Sequence, residues 1–577
     1  MTYLKLMANA AWAGAYAALM VAFLFLFLDA ELGRRGIVSA AFAGLVASCL
    51  LIYVPVVAWL LPTLFMAVRF FAVRRLHAYW LSLKATHWLC ITILSAASAV
   101  YYYNLRWSAS LLSPTTLRMM RLSAGTMALS SAIALAFAVT AQFHHGHPAR
   151  RQRIAGMALL LVPLALIPAL MMMAGDPNDA PAAAAPGHVP SASPWMPRLL
   201  LVGIDAASMD QILPLVSAQR LPAFDSLLQE GASARLDTVR PCATGVAWTA
   251  LLTGTPPWTS GVGSSWEWVL PPGTAHVQAM PQGIGMGLLE RIGLVSRAPL
   301  SEGRRRTASL WEILADSGSE GIAIGWDEYH GAPKLEVPAD ELAAILGANP
   351  GAGVEGAGEL YGFLYDAVAR DRKHHEAALA ALAASAARHS PVAVRLPGLG
   401  LVSRYYLRYH DPDAFGDVTP AEKEAFGRVL GGYYEFLDGL LGELVRASGE
   451  GTLVAVVSPH GVEPLGAPER LSRFLLHDAS GIGPLASGWW RRGPDGVLFL
   501  RGPGVSQGTR LDDVDLVDVV PTVLFAMGLP IGRDMTGDLL RRVFTPAFLA
   551  RRTVQFVPAY PRPASSEPGA ELPAASR

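Results

Sequence analysis

The sequence is short of charge. Only 16% of its 577 residues are Asp, Glu, Lys or Arg, against about 25% in ordinary soluble proteins. Lys+Arg and Asp+Glu number 46 each, so no net basic field exists to gather nucleic acid. Cysteine is scarce as well. Cys49, Cys90 and Cys242 stand far apart, which excludes a disulfide framework and a thiolate metal site. There is no internal repeat. What the chain has in excess is apolar surface: 52% hydrophobic residues and a mean hydropathy of +0.35. That balance excludes intrinsic disorder and points to a membrane.

The apolar residues crowd into the first third. Residues 8–28 carry no charge until Asp29, Glu31, Arg34 and Arg35. Residues 37–68 exceed the roughly 20 that span a bilayer, and Pro55 and Pro62 are expected to kink that run or end its buried part. Residues 85–103, 122–142 and 154–174 complete five expected spans, making 1–174 a helical membrane domain. The first run is too long for a signal-peptide core and lacks a small-residue cleavage site. Five spans put Lys5, Arg69, Arg74, Arg75, Lys84, Arg150, Arg151 and Arg153 on one side. Arg34, Arg35, Arg106, Arg118 and Arg121 fall on the other. The side richer in Lys and Arg is the inner one. The expectation is a cytoplasmic N-terminus in a bacterial inner membrane, with everything after residue 174 on the periplasmic side. His144, His145 and His147 read as a polar loop at the membrane edge rather than a metal site.

Residues 175–197, rich in Pro and Ala, read as a tether. From 198 to 552 the composition becomes that of a soluble α/β domain, and 553–577, ending PRPASSEPGAELPAASR, reads as a disordered tail. Continuous apolar runs at 199–204, 392–396, 453–457 and 497–500 predict strands buried on both faces. Helical patterns lie between them at 310–315, 374–387 and 422–445. Such alternation predicts an α/β fold, a mostly parallel central sheet with helices on both faces. Reactive groups in these sheets gather beyond the carboxyl ends of the strands.

Three residues stand at such ends. Asp205 closes LLLVGID; Thr244, in RPCATGVAWTALLTG, precedes a helix predicted from about Val246; His460 follows LVAVV in SPHGVEP. Singly they are a loop-capping Asp, an N-cap Thr and a structural His. Together they form a more specific set, in which a hydroxyl at a helix N-terminus can be a nucleophile beside a bound phosphate.

The segments LLLVGIDAAS, RPCATGVAWTALLTG, VAVVSPHGVEP, GVLFLRGPGV and DVVPTVLFAMGLPIGRDMTGDLL resemble the alkaline phosphatase superfamily. The nearest branch is the type I phosphodiesterase/nucleotide pyrophosphatase group, in family order over about 198–540. The resemblance implies two divalent metals, usually zinc, and a Thr or Ser nucleophile. It places Thr244 as the nucleophile and Asp205 and His460 as metal ligands. The family's next Asp and His fall on Gly400 and Arg404, and the Asp of its Ser-Asp-His-Gly falls on Pro459. Its last His falls in a stretch holding Trp489, Trp490, Arg491 and Arg492. Gly and Pro offer no ligand atom, and Arg is cationic. A shifted register through His410, Asp411, Asp413 or His477 is the less favoured alternative.

The expectation is therefore at most one weakly held divalent metal (Zn or Mn), with no two-metal site. Arg404, with Arg491 or Arg492, is expected to bind an anion in its place, or Arg404 to make a plain structural ion pair. The leading reading is a membrane-anchored phosphodiesterase-like protein with lost or impaired hydrolase activity. It would hold a phosphate- or sulfate-bearing small molecule, lipid or glycan, or an envelope partner. The alternative is an active metal-dependent phosphodiesterase or phosphotransferase using Thr244. A transporter fits poorly, because the spans hold few ionisable residues.

Overall fold

Long stretches without charge give long helices when no water is there to compete for the backbone. The computed structural model describes residues 2–71, 83–143, 150–173, 196–272, 275–278, 281, 283–300, 304–319, 321–326, 339–346, 356–385, 390–466 and 485–560. The His144–His147 cluster, almost all of the 175–197 tether and His477 lie outside them.

The N-terminal helices are α1 (Thr2–Leu28), α2 (Ala40–Phe71), α3 (Leu83–Trp107), α4 (Pro114–Phe143) and α5 (Arg150–Met173). The first four are long and apolar enough to cross a membrane. The fifth expected span falls on α5, whose described apolar part is Ala158–Met172. Neither Pro55 nor Pro62 ends α2, which runs through both, as helices in apolar surroundings tolerate. Helix α1 is the most enclosed. It lets α2 approach at Gly14, where a Cβ would stand 2.8 Å from Val54 Cα, the small-residue contact common between membrane helices. Tyr101 in α3 donates its hydroxyl to the Met20 carbonyl at 2.7 Å, and Tyr16 donates to Leu160 at 2.8 Å.

Residues Gly261–Arg304 group with these helices and not with the rest of the soluble half, although they lie within 198–552. They form a three-stranded sheet, β3 (Trp266–Leu270) between β4 (Ala275–Val277) and β5 (Ser296–Pro299).

The second unit comprises Ala180–Ser260 and Arg305–Arg577. Its seven-stranded sheet has the order β12-β2-β11-β8-β1-β7-β6. Here β1 is Leu199–Ile204, β2 Ala232–Asp237, β6 Ile322–Ile324, β7 Val392–Leu396 and β8 Leu453–Ser458, with β11 at Gly496–Arg501 and β12 at Thr509–Asp515; β9 (Glu463–Pro464) and β10 (Gly488–Trp489) pair separately. All run parallel except β11, which is antiparallel to both neighbours. The expected mostly parallel sheet is therefore present. Every residue of β1 and β8 is buried, which is why these strands read as unbroken apolar runs.

Four further helices matter below: α6 (Thr244–Thr253), α7 (Ala357–Ser385), α8 (Gly398–His410) and α9 (Val429–Ser448). The helix expected over 422–445 is two helices, Pro420–Phe426 and α9, divided at Gly427 and Arg428. The tail is ordered further than expected. Phe556–Val557 pairs with Ile531–Gly532, and the buried Tyr560 hydroxyl donates to the Pro530 carbonyl. Residues 561–577 lie outside the described ones.

Candidate active site

Strand β1 ends at Ile204, so Asp205 sits at the carboxyl edge of the sheet, only 3% exposed. A carboxylate buried that far needs a partner. It has one on the next strand. Arg395 of β7, one residue before the strand end, donates Nε to Asp205 Oδ1 at 3.0 Å and Nη2 to Oδ2 at 2.8 Å. This is the bidentate fork that suits guanidinium and carboxylate. The Trp248 indole N–H adds a third bond to Oδ1 at 2.8 Å, and the Arg395 guanidinium lies 5.4 Å from the Trp248 ring. Burial pushes the Asp205 carboxyl up. The charge and hydrogen bonds of Arg395, then His460 and Trp248, outweigh it and hold the group below its ordinary value.

Thr244 is the first residue of α6, after Ala243, which provides no side-chain cap. Its hydroxyl is thus not used as a cap. It lies 3.2 Å from His460 Nε2. His460 Nδ1 lies 3.0 Å from the Gly461 carbonyl, which can only accept, so Nδ1 carries the proton and Nε2 accepts from Thr244. Burial lowers the His460 pKa, against the upward pull of Asp205 and the Gly461 carbonyl. The imidazole is neutral and can receive a proton from Thr244. Helix geometry links the parts: Trp248 is one turn beyond Thr244, so α6 presents the hydroxyl to His460 and the indole to Asp205.

Gly400 and Arg404 lie one turn apart on α8. A Cβ at Gly400 would stand 3.1 Å from Asp205 Cβ, so the position that resemblance assigns to an acidic ligand does face Asp205, without a side chain. Arg404 lies over Trp489 and Trp490, 5.2 and 5.8 Å from the ring centres. Trp490 stacks on His460 at 5.4 Å. Arg404 therefore reaches the Thr244–His460 pair by way of one indole. Arg491 accepts at its carbonyl from the Cys242 N–H, just before the Thr244 turn. Arg492 is exposed and lies 3.9 Å from Glu463. His410 faces Gln211 at 2.9 Å.

Behind the site, Asp371 of α7 is wholly buried. It accepts from the Gly398 N–H at 2.9 Å and the Tyr433 hydroxyl at 2.8 Å, fixing the start of α8. Burial raises its carboxyl to about 7 despite these two bonds.

Sequence reasoning named Asp205, Thr244, His460 and Arg404, and Trp490 only as part of the stretch where the family's last His falls; it did not name Arg395 or Trp248. Arg395 had a signal: a lone cation inside VAVRL, a run otherwise fit for burial on both faces, demands an anion beside it.

These residues do not fit a divalent cation. Both Asp205 oxygens are held by a guanidinium, and both imidazole nitrogens of His460 have partners. Among the described residues no group of three or more His, Cys, Asp or Glu could hold a metal.

No curated protein matches the chain. The family comparison does match, over the stretch that carries β1, Thr244, Arg395, α8 and His460. Residues 199–480 match the model of the type I phosphodiesterase/nucleotide pyrophosphatase family.

Proposed function

We propose that this membrane-associated, phosphodiesterase-like domain binds a phosphate- or sulfate-bearing ligand without divalent metal, and that the family's two-metal hydrolysis has been lost. The observation that carries this reading is the Arg395 fork on Asp205. It supplies a fixed positive charge at the carboxylate where the family uses a cation. A guanidinium can neutralise the site but cannot lower the pKa of a bound hydroxyl as a metal does. The ligand's anionic oxygens would meet the N-terminus of α6 beside Thr244 and the Arg404 guanidinium, with Arg491 and Arg492 at the rim. The phosphate-bearing molecule could be a soluble ester, a lipid head group or a glycan phosphate.

The test is titration of the full-length chain in detergent with inorganic phosphate and with a non-hydrolysable phosphonate diester, in excess EDTA. Binding should survive chelation and weaken about 10- to 100-fold in Arg404→Ala, the loss of one charge-assisted contact of about 1.5–3 kcal/mol. Binding that appears only with added zinc or manganese would refute the reading.

The chain topology supports a domain on the far side of the membrane from the N-terminus. The Gln278 N–H, downstream of all five helices, donates to Asp29 Oδ2 at 2.7 Å, between α1 and α2. The segment bearing Gln278 thus shares a side with the first inter-helix turn. Only an odd number of crossings returns the chain there, so α5 crosses too; its 24 residues reach about 36 Å. With the Lys and Arg distribution, this supports a domain outside the cytoplasm.

A further inference from the structure

We propose that residues 283–294, within the Gly261–Arg304 segment, form a membrane-embedded shelf whose outer apolar face lies in the acyl boundary of the bilayer. This rests on reading the N-terminal helices as spans. The segment is clasped at the helix ends: Asp29 accepts from Gln278, and the Gln278 side chain bonds the Gly261 carbonyl and the Gly263 N–H. Residues 283 and 284 meet the helices at a deeper level. A Cβ at Gly283 would lie 3.4 Å from Val100 Cγ2, and the Tyr53 hydroxyl donates to the Ile284 carbonyl at 3.0 Å.

Those partners are deep. Val100 is seven residues inside the Trp107 end of α3, about 10 Å at the helical rise. Tyr53 is thirteen residues inside the Ala40 end of α2, about 20 Å. Head groups occupy only about 5–8 Å on each side of a hydrocarbon core of about 30 Å, so residues 283–284 lie at or below the acyl boundary.

The short helix Met286–Arg291 continues from there. Met286 and Leu289, with Val295, are buried in the same core as the spanning helices. Its other side is also mostly apolar and uncovered, Arg291 apart: Leu288 is 55% exposed, Ile292 58% and Leu294 39%. Water is a poor neighbour for that face, and lipid is the continuous one, since Leu129 and Trp59 on the spans are exposed in the same way. The nearby charges are arranged for an interface. Arg297 pairs with Glu290 at 2.6 Å and lies 4.9 and 5.0 Å from the Trp266 and Trp268 ring centres, the amphipathic company found at head-group level.

The test uses the full chain in nanodiscs of phosphatidylcholine with a minority of phosphatidylglycerol. Spin labels are attached to Leu288→Cys and Ile292→Cys, with mock-labelled wild type as background for the native thiols. Leu129→Cys serves as the lipid-facing control and Glu450→Cys as the water-facing one. Collisions with oxygen should exceed those with a water-soluble nickel chelate at 288 and 292, as at 129, and the order should reverse at 450. Nickel access at 288 and 292 equal to that at 450 would overturn the shelf. Shielding from both reagents would overturn it as well, by showing that protein covers the face. Failure at 129 would instead overturn the reading of the spans.

Discussion

Replacing Arg395 by methionine should destabilise the domain by about 3–5 kcal/mol, the usual consequence of stranding one member of a buried ion pair. The side chains of Arg395 and Asp205 are 11% and 5% exposed, so solvent screens little of the interaction. The variant leaves Asp205 with the Trp248 indole as its remaining hydrogen-bond donor, and an uncompensated charge in a pocket closed by aromatic rings. Acidity supplies a second signature. In the wild type, the Asp205 pKa lies below its ordinary value. Its contribution is therefore fully present above the unfolded pKa, about 3.9, and is lost as pH falls through the lowered folded value. In the variant, burial is opposed far less and the folded pKa rises. That penalty applies at neutral pH and is relieved on acidification. The melting temperatures of variant and wild type, measured in detergent, should converge from pH 7 towards pH 4. A gap that stays constant would mean that Arg395 acts by packing alone. Asp205→Asn in the Arg395→Met background should recover part of the loss, since the stranded charge is then gone.

Gly398→Ala should be the other large effect, at about 3 kcal/mol. A Cβ there would collide with the Tyr433 hydroxyl, stand 2.6 Å from Asp371 Oδ2 and 2.8 Å from the Ala367 carbonyl. Overpacking of this kind costs about 1–3 kcal/mol, and separating Asp371 from its donors leaves a buried carboxyl short of partners, adding a similar amount. The damage reaches the site, because Gly398 begins the helix that carries Gly400 past Asp205 and Arg404 over Trp490. Phosphonate affinity should fall with stability in Gly398→Ala. In Gly439→Ala, where nothing lies within 4 Å of the added Cβ, both should stay near wild type. Unchanged melting and binding in Gly398→Ala would show that α8 can shift freely and that its register does not position the site.

Much of this was legible in the chain itself. The strands at 199–204, 392–396, 453–457 and 497–500 were readable because burial on both faces leaves an apolar run with no alternation. Such a run has no direction, so the antiparallel course of β11 could not be read. Asp205 and His460 were singled out because they follow strand ends, where chemistry in parallel sheets collects, and Thr244 because it precedes a helix. Arg395 was not, because it lies inside a strand and its partner comes from a segment 190 residues earlier. The extent of α7 was hidden because its first half mixes charged and aromatic residues with the buried apolar ones, whereas its Ala-rich second half was plain. Residues 261–304 have the mixed composition of a soluble segment. Their place among the spanning helices depends on Gln278 meeting Asp29, a pairing no local pattern encodes.

The Arg395 fork makes metal binding the deciding property. The direct measurement is zinc content and zinc affinity of the purified full-length chain, by elemental analysis and calorimetric titration, after dialysis against a weak chelator. The account predicts less than a tenth of an equivalent of retained zinc and no saturable zinc isotherm, with phosphate-ester binding unaltered. One or two equivalents of tightly held zinc, lost in Asp205→Ala or His460→Ala, would contradict it.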